Sequence, residues 1–173
     1  MEQIKYAHYK ATAPKLPLSI LMDDIETPRN AGTIFRLADT LGVEGLVLCG
    51  KTPSMEHRLV GRTARGADRH VPSTYIEKAA EAIADFKSRG YTIVALEITN
   101  QSVDVKTVDF TKLEKILLIA GSESKGISQE VLDKVDVAVH IPTAGYCLSM
   151  NVAMSVAIAV YEISRQRSVI DNQ

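Results

Sequence analysis

Five short apolar runs, residues 16–23, 46–49, 91–97, 116–120 and 135–141, recur along the chain and constrain its fold more than any other feature. Each is too short to span a membrane and too continuously apolar for a strand with one face in water. Between them lie segments with helical spacing. Residues 30–41 place Ala31, Ile34, Leu37, Ala38 and Leu41 on one side, with Asn30 as the expected N-cap. Residues 77–89 place Ala80, Ile83, Ala84 and Phe86 inward, with Gly90 just past the end. Residues 128–134 read as a short helix. Residues 149–165 form a helix that is apolar nearly all round (Met150, Val152, Val156, Ile158, Val160), which predicts deep burial or an interface. Buried strands alternating with helices predict an α/β fold, a mostly parallel sheet with helices on both faces. Ligands of such sheets sit at the carboxyl ends of the strands.

The remaining organisation is simple. Residues 1–15 are polar and read as an N-terminal arm, and residues 16–173 as one domain. Cys49 and Cys147 are isolated, and the four histidines show no metal-ligand spacing, so no metal is expected. No segment has the pattern of a signal peptide or membrane span, which makes the cytoplasm the expected location.

Three strand ends carry polar residues that suggest chemistry. After the first strand comes Asn30-Ala31-Gly32-Thr33-Ile34-Phe35-Arg36. Gly32 allows another backbone to approach closely. Asn30 and Arg36 are six residues apart, nearly two turns, and are expected to share roughly one face. Residues 116–120 run into Gly121-Ser122-Glu123-Ser124-Lys125-Gly126, a turn suited to holding a ligand against its backbone with Glu123 aimed into the cleft. It is not the dinucleotide fingerprint, because Glu stands at the middle position. After 135–141 a loop with Pro142 and Gly145 leads to Ser149-Met150-Asn151-Val152. Ser149 can cap the last helix. Asn151, inside its start, needs polar partners to offset burial.

Together and in this order, the three segments resemble the SpoU (TrmH-like) branch of the SPOUT RNA methyltransferases. The matching motifs are Asn30, Gly32 and Arg36; then Gly121, Glu123 and Gly126; then the Pro–Gly loop with Ser149-Met150-Asn151-Val152. The resemblance covers residues 17–165. It implies the SPOUT fold, with a C-terminal deep trefoil knot. It also implies a homodimer that transfers a methyl group from S-adenosyl-L-methionine to a ribose 2′-hydroxyl of tRNA or rRNA. Carried over by position, Leu96, Gly121, Ile141 and Met150 are the cofactor contacts. Asn30, Arg36, Glu123, Ser149 and Asn151 are the catalytic and substrate-positioning residues. Met150 stands where Leu is usual, a volume-conserving change. Ala153 stands where Ser is common. The N-terminal RNA-binding extension common in the family is expected to be absent, which leaves RNA recognition to this domain and its dimer.

The methyl donor is already an activated electrophile, so the expected task of the site is to align the ribose hydroxyl and stabilise its developing negative charge. A guanidinium stays protonated in proteins, which favours an electrostatic role for Arg36 over that of a base. Three other readings stand beside this one: a catalytically silent, knotted RNA-binding homologue; a Rossmann-type dinucleotide enzyme; and nucleophilic catalysis by Cys147.

Charge completes the picture. The formal net charge is −1, which argues against binding nucleic acid through bulk positive charge. The basic residues are local, however. Residues 51–70 carry Lys51, Arg58, Arg62, Arg65 and Arg69 against Glu56 and Asp68, while the acidic excess lies in 71–140. The spacing of Arg58, Arg62, Arg65 and Arg69 predicts a phosphate-binding stripe if the segment is helical.

Overall fold

The computed structural model describes residues 15–167. Of the N-terminal arm expected over 1–15, all but Lys15 lies outside the described residues. Seven strands form one sheet: β1 (Leu16–Asp23), β2 (Val43–Cys49), β3 (Ser73–Ile76), β4 (Tyr91–Leu96), β5 (Val103–Asp104), β6 (Lys115–Ala120) and β7 (Val137–His140). Their order is β3-β2-β1-β6-β4-β7-β5, and every pairing is parallel. Among the described residues five α-helices accompany them: α1 (Pro28–Thr40), α2 (Arg58–Ala64), α3 (Ala79–Ser88), α4 (Gln129–Leu132) and α5 (Val152–Gln166).

The continuous apolar strands divide their side chains between two cores. Leu18, Ile20 and Met22 of β1 join Ile116, Leu118 and Ala120 of β6 beneath α1, α2 and α5. Leu21, Leu117 and Ile119 point the other way, into a second cluster with Ala82, Ile83 and Phe86 of α3 and Val131 of α4. Side chains alternate along a strand, so a strand covered on both faces must be apolar at every position. That requirement produces the runs seen in the sequence.

The path of the chain builds the cleft. After β1, β2 and β3 step outward on one side, β4 and β5 lie on the other. β6 then inserts between β1 and β4, and β7 between β4 and β5. The carboxyl ends of β4, β6 and β7 therefore lie side by side, although the segments are distant in sequence.

Several local expectations change. β3 and β5 are edge strands of four and two residues, too short for a periodic signal. Helix α1 begins at Pro28 with Thr27 as N-cap, so Asn30 lies inside the first turn and does not cap it. The cap of α5 is Asn151, not Ser149: its Oδ1 accepts from Ala153 N at 3.0 Å and Met154 N at 3.3 Å. Asn151 is exposed and sits at the cap rather than inside the helix, so it is the orphan N–H groups of α5, not burial of the carboxamide, that account for these bonds. Helix α5 is not buried all round. Val156, Val160 and Ile163 are fully buried, whereas Met154, Ile158 and Tyr161 are 63%, 40% and 52% exposed.

The arginine stripe is also broken. Helix α2 ends at Ala64, Arg65 turns left-handed (φ 54°), and Gly66 follows at φ 86°. Arg58 and Arg62 remain one helical turn apart, while Arg65 and Arg69 lie beyond the helix. All four side chains are exposed.

Candidate active site

A cleft of about 460 Å³ opens where β4, β6 and β7 end. Leu96 closes β4, Gly121 follows β6, Ile141 follows β7, and Met150 precedes α5. All four line this cleft, together with Glu123, Ser149 and Asn151. Asn30 and Arg36 are not among its lining residues.

Asn30 is nonetheless bound into the same cluster. Its Nδ2 donates to Glu123 Oε1 at 2.6 Å, and its Oδ1 accepts from Asn151 Nδ2 at 3.1 Å. One residue from each of the three motifs meets here, and the chemistry sets the direction of the chain. An ionised carboxylate only accepts, so Asn30 must turn its NH₂ to Glu123 and its oxygen to Asn151. Asn151 then faces the helix N–H groups with its own oxygen. The donors run one way, from the start of α5 to the Glu123 carboxylate.

Glu123 also accepts from Glu26 N at 2.7 Å and Thr27 N at 3.1 Å. Burial raises the Glu123 pKa, but hydrogen bonds from the Glu26 backbone, the Asn30 side chain, its own backbone N–H and the Thr27 side chain outweigh it and leave the carboxyl below its ordinary value. In return, Ser122 Oγ and Ser124 Oγ donate to Glu26 Oε1 at 2.9 and 2.5 Å. The loop after β1 and the turn after β6 thus clasp each other with two carboxylates. The two glycines of the turn line the cleft and are also fixed by the turn's own packing. Gly126 N donates to Ser122 O at 2.8 Å, and a Cβ on Gly121 would run into the Gly126 carbonyl. Gly32 behaves as expected: a Cβ there would lie 2.7 Å from both Val60 O and Thr63 Cβ of α2.

Arg36 stands apart. It is exposed, and its guanidinium has no hydrogen-bond or ion-pair partner among the described residues. Six helical residues turn through about 600°, which leaves Asn30 and Arg36 about 120° apart around α1, not on one face. Ser149 is exposed on the cleft wall, where its carbonyl accepts from Cys147 Sγ at 3.2 Å. Cys147 is exposed but does not line the cleft. Cys49 is buried, and burial followed by the carboxylates of Asp23 and Asp24 pushes its thiol up to about 12, which makes it inert.

Three site residues fall outside the motifs: Glu26, Glu97 and His140. Glu97 and His140 line the cleft, and His140 Nδ1 lies 3.0 Å from Ser102 Oγ. Their only sequence signal is position, since each is a polar residue at the end of a buried strand.

A family model described as the SpoU rRNA methylase family matches residues 17–161. The chain belongs to this family. A Staphylococcus saprophyticus protein assigned to the TrmH family of tRNA/rRNA methyltransferases is 31% identical to it over 159 residues, 92% of this chain and 63% of the relative. The chain thus spans about six tenths of the length of that relative. The SpoU methyltransferase AviRb of Streptomyces viridochromogenes, solved with the cofactor AdoMet, superposes with a TM-score of 0.80 at 27% identity, covering 96% of this chain and 66% of AviRb. A protein solved in a study of 2-OH methylation of C/U34 on tRNA superposes with a TM-score of 0.76 at 27% identity, covering 87% of this chain and 97% of the other. In this SpoU family member, one residue of each motif, Asn30, Glu123 and Asn151, joins a single hydrogen-bonded cluster, while Arg36 lies outside it.

The lining of the cleft tests which ligand fits. Its walls are apolar at Leu96, Ile141 and Met150, it carries the carboxylates of Glu97 and Glu123, and no Lys or Arg lines it. That charge set suits a cationic adenosyl ligand and disfavours a dinucleotide pyrophosphate: no positive side chain lines the cleft, and at the start of α5 the Ala153 and Met154 N–H groups are already taken by Asn151 Oδ1. Among the described residues, no cluster of His, Cys, Asp and Glu could hold a metal ion.

Proposed function

We propose that this chain is an RNA methyltransferase that moves a methyl group from S-adenosylmethionine to a ribose 2′-hydroxyl of tRNA or rRNA, with residues 16–173 as its methyltransferase domain. The observation that carries the reading is the convergence of Leu96, Gly121, Ile141 and Met150 on the cleft that also holds Glu123, Ser149 and Asn151. A silent homologue has no need of a one-way polar chain from Asn151 through Asn30 to Glu123.

Bound S-adenosylmethionine would supply the electrophilic methyl group. The residues that would hold it are Leu96, Gly121, Ile141 and Met150, through backbone polar groups and apolar contact. Glu123, held as a carboxylate, fixes Asn30 and the loop after β1. Asn151 fixes Asn30 from the other side and anchors the start of α5. Ser149 presents its hydroxyl at the cleft rim for the ribose. Arg36, free of protein partners among the described residues, binds the phosphate or hydroxyl oxygen and stabilises negative charge there.

RNA binding is assigned to Arg58, Arg62, Arg65 and Arg69. Among the described residues, the Lys and Arg ion pairs all involve later cations, such as Lys87 with Asp136 and Arg89 with Asp85. The four arginines are exposed and make none, which leaves them open to phosphate. A homodimer is supported by the exposed apolar face of α5 at Met154, Ile158 and Tyr161. The reading includes the trefoil knot, supported by the late insertion of β6 and β7 between earlier strands. It also includes a cytoplasmic location. No helix among the described residues is long and apolar enough to cross a membrane.

The test combines two measurements. Calorimetry should give saturable binding of S-adenosylmethionine and not of NAD. Labelled methyl transfer to tRNA and rRNA, followed by nuclease mapping, should place the methyl on a ribose. Methyl groups found on bases, or no transfer despite binding, would overturn the reading.

A further inference from the structure

One side chain ties the β4 wall of the cleft to the β6 wall. Glu97 directly follows Leu96, the last residue of β4. Its backbone N–H donates to Val139 O of β7 at 3.0 Å. Its Oε1 accepts from Ile98 N at 2.9 Å, and its Oε2 accepts from Ile127 N, at the end of the turn after β6, at 3.0 Å. The same carboxylate packs against Gly126, whose φ is +66°, and a Cβ there would run into it. Glu97 is half-buried, lines the cleft, and belongs to none of the three motifs.

We infer that Glu97 is a positioning residue for the cofactor, clamping the end of β4 to the 121–127 turn so that Leu96 and Gly121 are held at the spacing the cofactor needs. The inference rests on the methyltransferase reading. It follows from geometry and donor chemistry. Both groups facing the carboxylate oxygens are backbone N–H donors, so the side chain must accept at both ends. A Gln at this position accepts at one end and sets its own NH₂ against the second N–H, at nearly unchanged volume. An Asp keeps the charge but is one methylene too short to serve both.

The experiment compares the full chain with Glu97→Gln and Glu97→Asp. Calorimetry with S-adenosylmethionine should show each variant about tenfold weaker than wild type. In methyl transfer to unfractionated tRNA and rRNA, KM for S-adenosylmethionine should rise by the same factor. The rate at saturating S-adenosylmethionine should stay within about twofold, as expected when only ground-state binding is lost. A general structural defect would instead lower kcat and RNA affinity together, and that result overturns the inference. So does wild-type cofactor affinity in either variant. If the wild-type chain itself fails to bind S-adenosylmethionine, the functional reading falls as well, which separates the two failures.

Discussion

Asn30 Nδ2 lies 2.6 Å from Glu123 Oε1, although 93 residues separate them in the chain. The contact joins the first turn of α1 to the turn after β6, and Asn151 extends it to the cap of α5. Asn30→Ala removes a donor to a carboxylate and an acceptor for Asn151. At this partly exposed site it should lower unfolding free energy by about 1 kcal/mol. Asn30→Asp sets a second carboxylate against the first and should destabilise more at neutral pH. Urea unfolding of the two variants checks the order.

Glu123 predicts a pH dependence. Its pKa is lowered in the folded chain, chiefly by N–H groups that overcome burial. A carboxyl lowered on folding stabilises above its unfolded pKa, about 4.3, and loses that contribution as pH falls through the folded value. Glu123→Gln should therefore shift the urea midpoint most near pH 7. The gap to wild type should close below about pH 4. A gap independent of pH would contradict the role given to the ionised form.

Gly32 is set by packing. A Cβ there would press on Val60 O and Thr63 Cβ at 2.7 Å, so Gly32→Ala must push α1 and α2 apart. The overpacking should destabilise by about 1–3 kcal/mol. Thermal unfolding measures this directly, and a stabilised variant would show that the helices yield more easily than the geometry implies.

Arg58 and Arg62 sit one turn apart on α2. Replacing both with Ala should weaken RNA binding and reduce the slope of log K against log salt by about one to two units. Cofactor affinity should not change, because neither residue lines the cleft. Filter binding across a salt series, alongside calorimetry, separates the two effects.

Arg36→Lys keeps the positive charge and loses the planar fork. Methyl transfer should fall by at least about tenfold with cofactor binding intact, as loss of a charge-stabilising donor predicts. Wild-type turnover in this variant would remove the specific role of Arg36.

The parallel sheet, its two covered faces and the three motif segments could be read from residue order, because a strand buried on both sides must be apolar throughout and a helix shows its period. β3 and β5 could not be read, since four and two residues carry no period. The caps of α1 and α5 are not encoded locally for a related reason. Asn30 and Ser149 are both residue types that cap helices, and only their three-dimensional neighbours decide whether they do. Thr27 and Pro28 start α1, which frees Asn30 for Glu123. The arginine spacing likewise fits a helix, but Arg65 turns left-handed and breaks it.

By itself, then, the sequence determined the layers of this protein and the polar residues at its strand ends, because burial and local spacing are written in neighbouring residues. Tertiary structure alone decided which of those residues meet. The late insertion of β6 and β7 sets Glu123 beside Asn30 and leaves Arg36 outside the cleft. It also makes Glu97 a tie between two strands, because a hydrogen bond depends on distances across the fold that no spacing along the chain encodes.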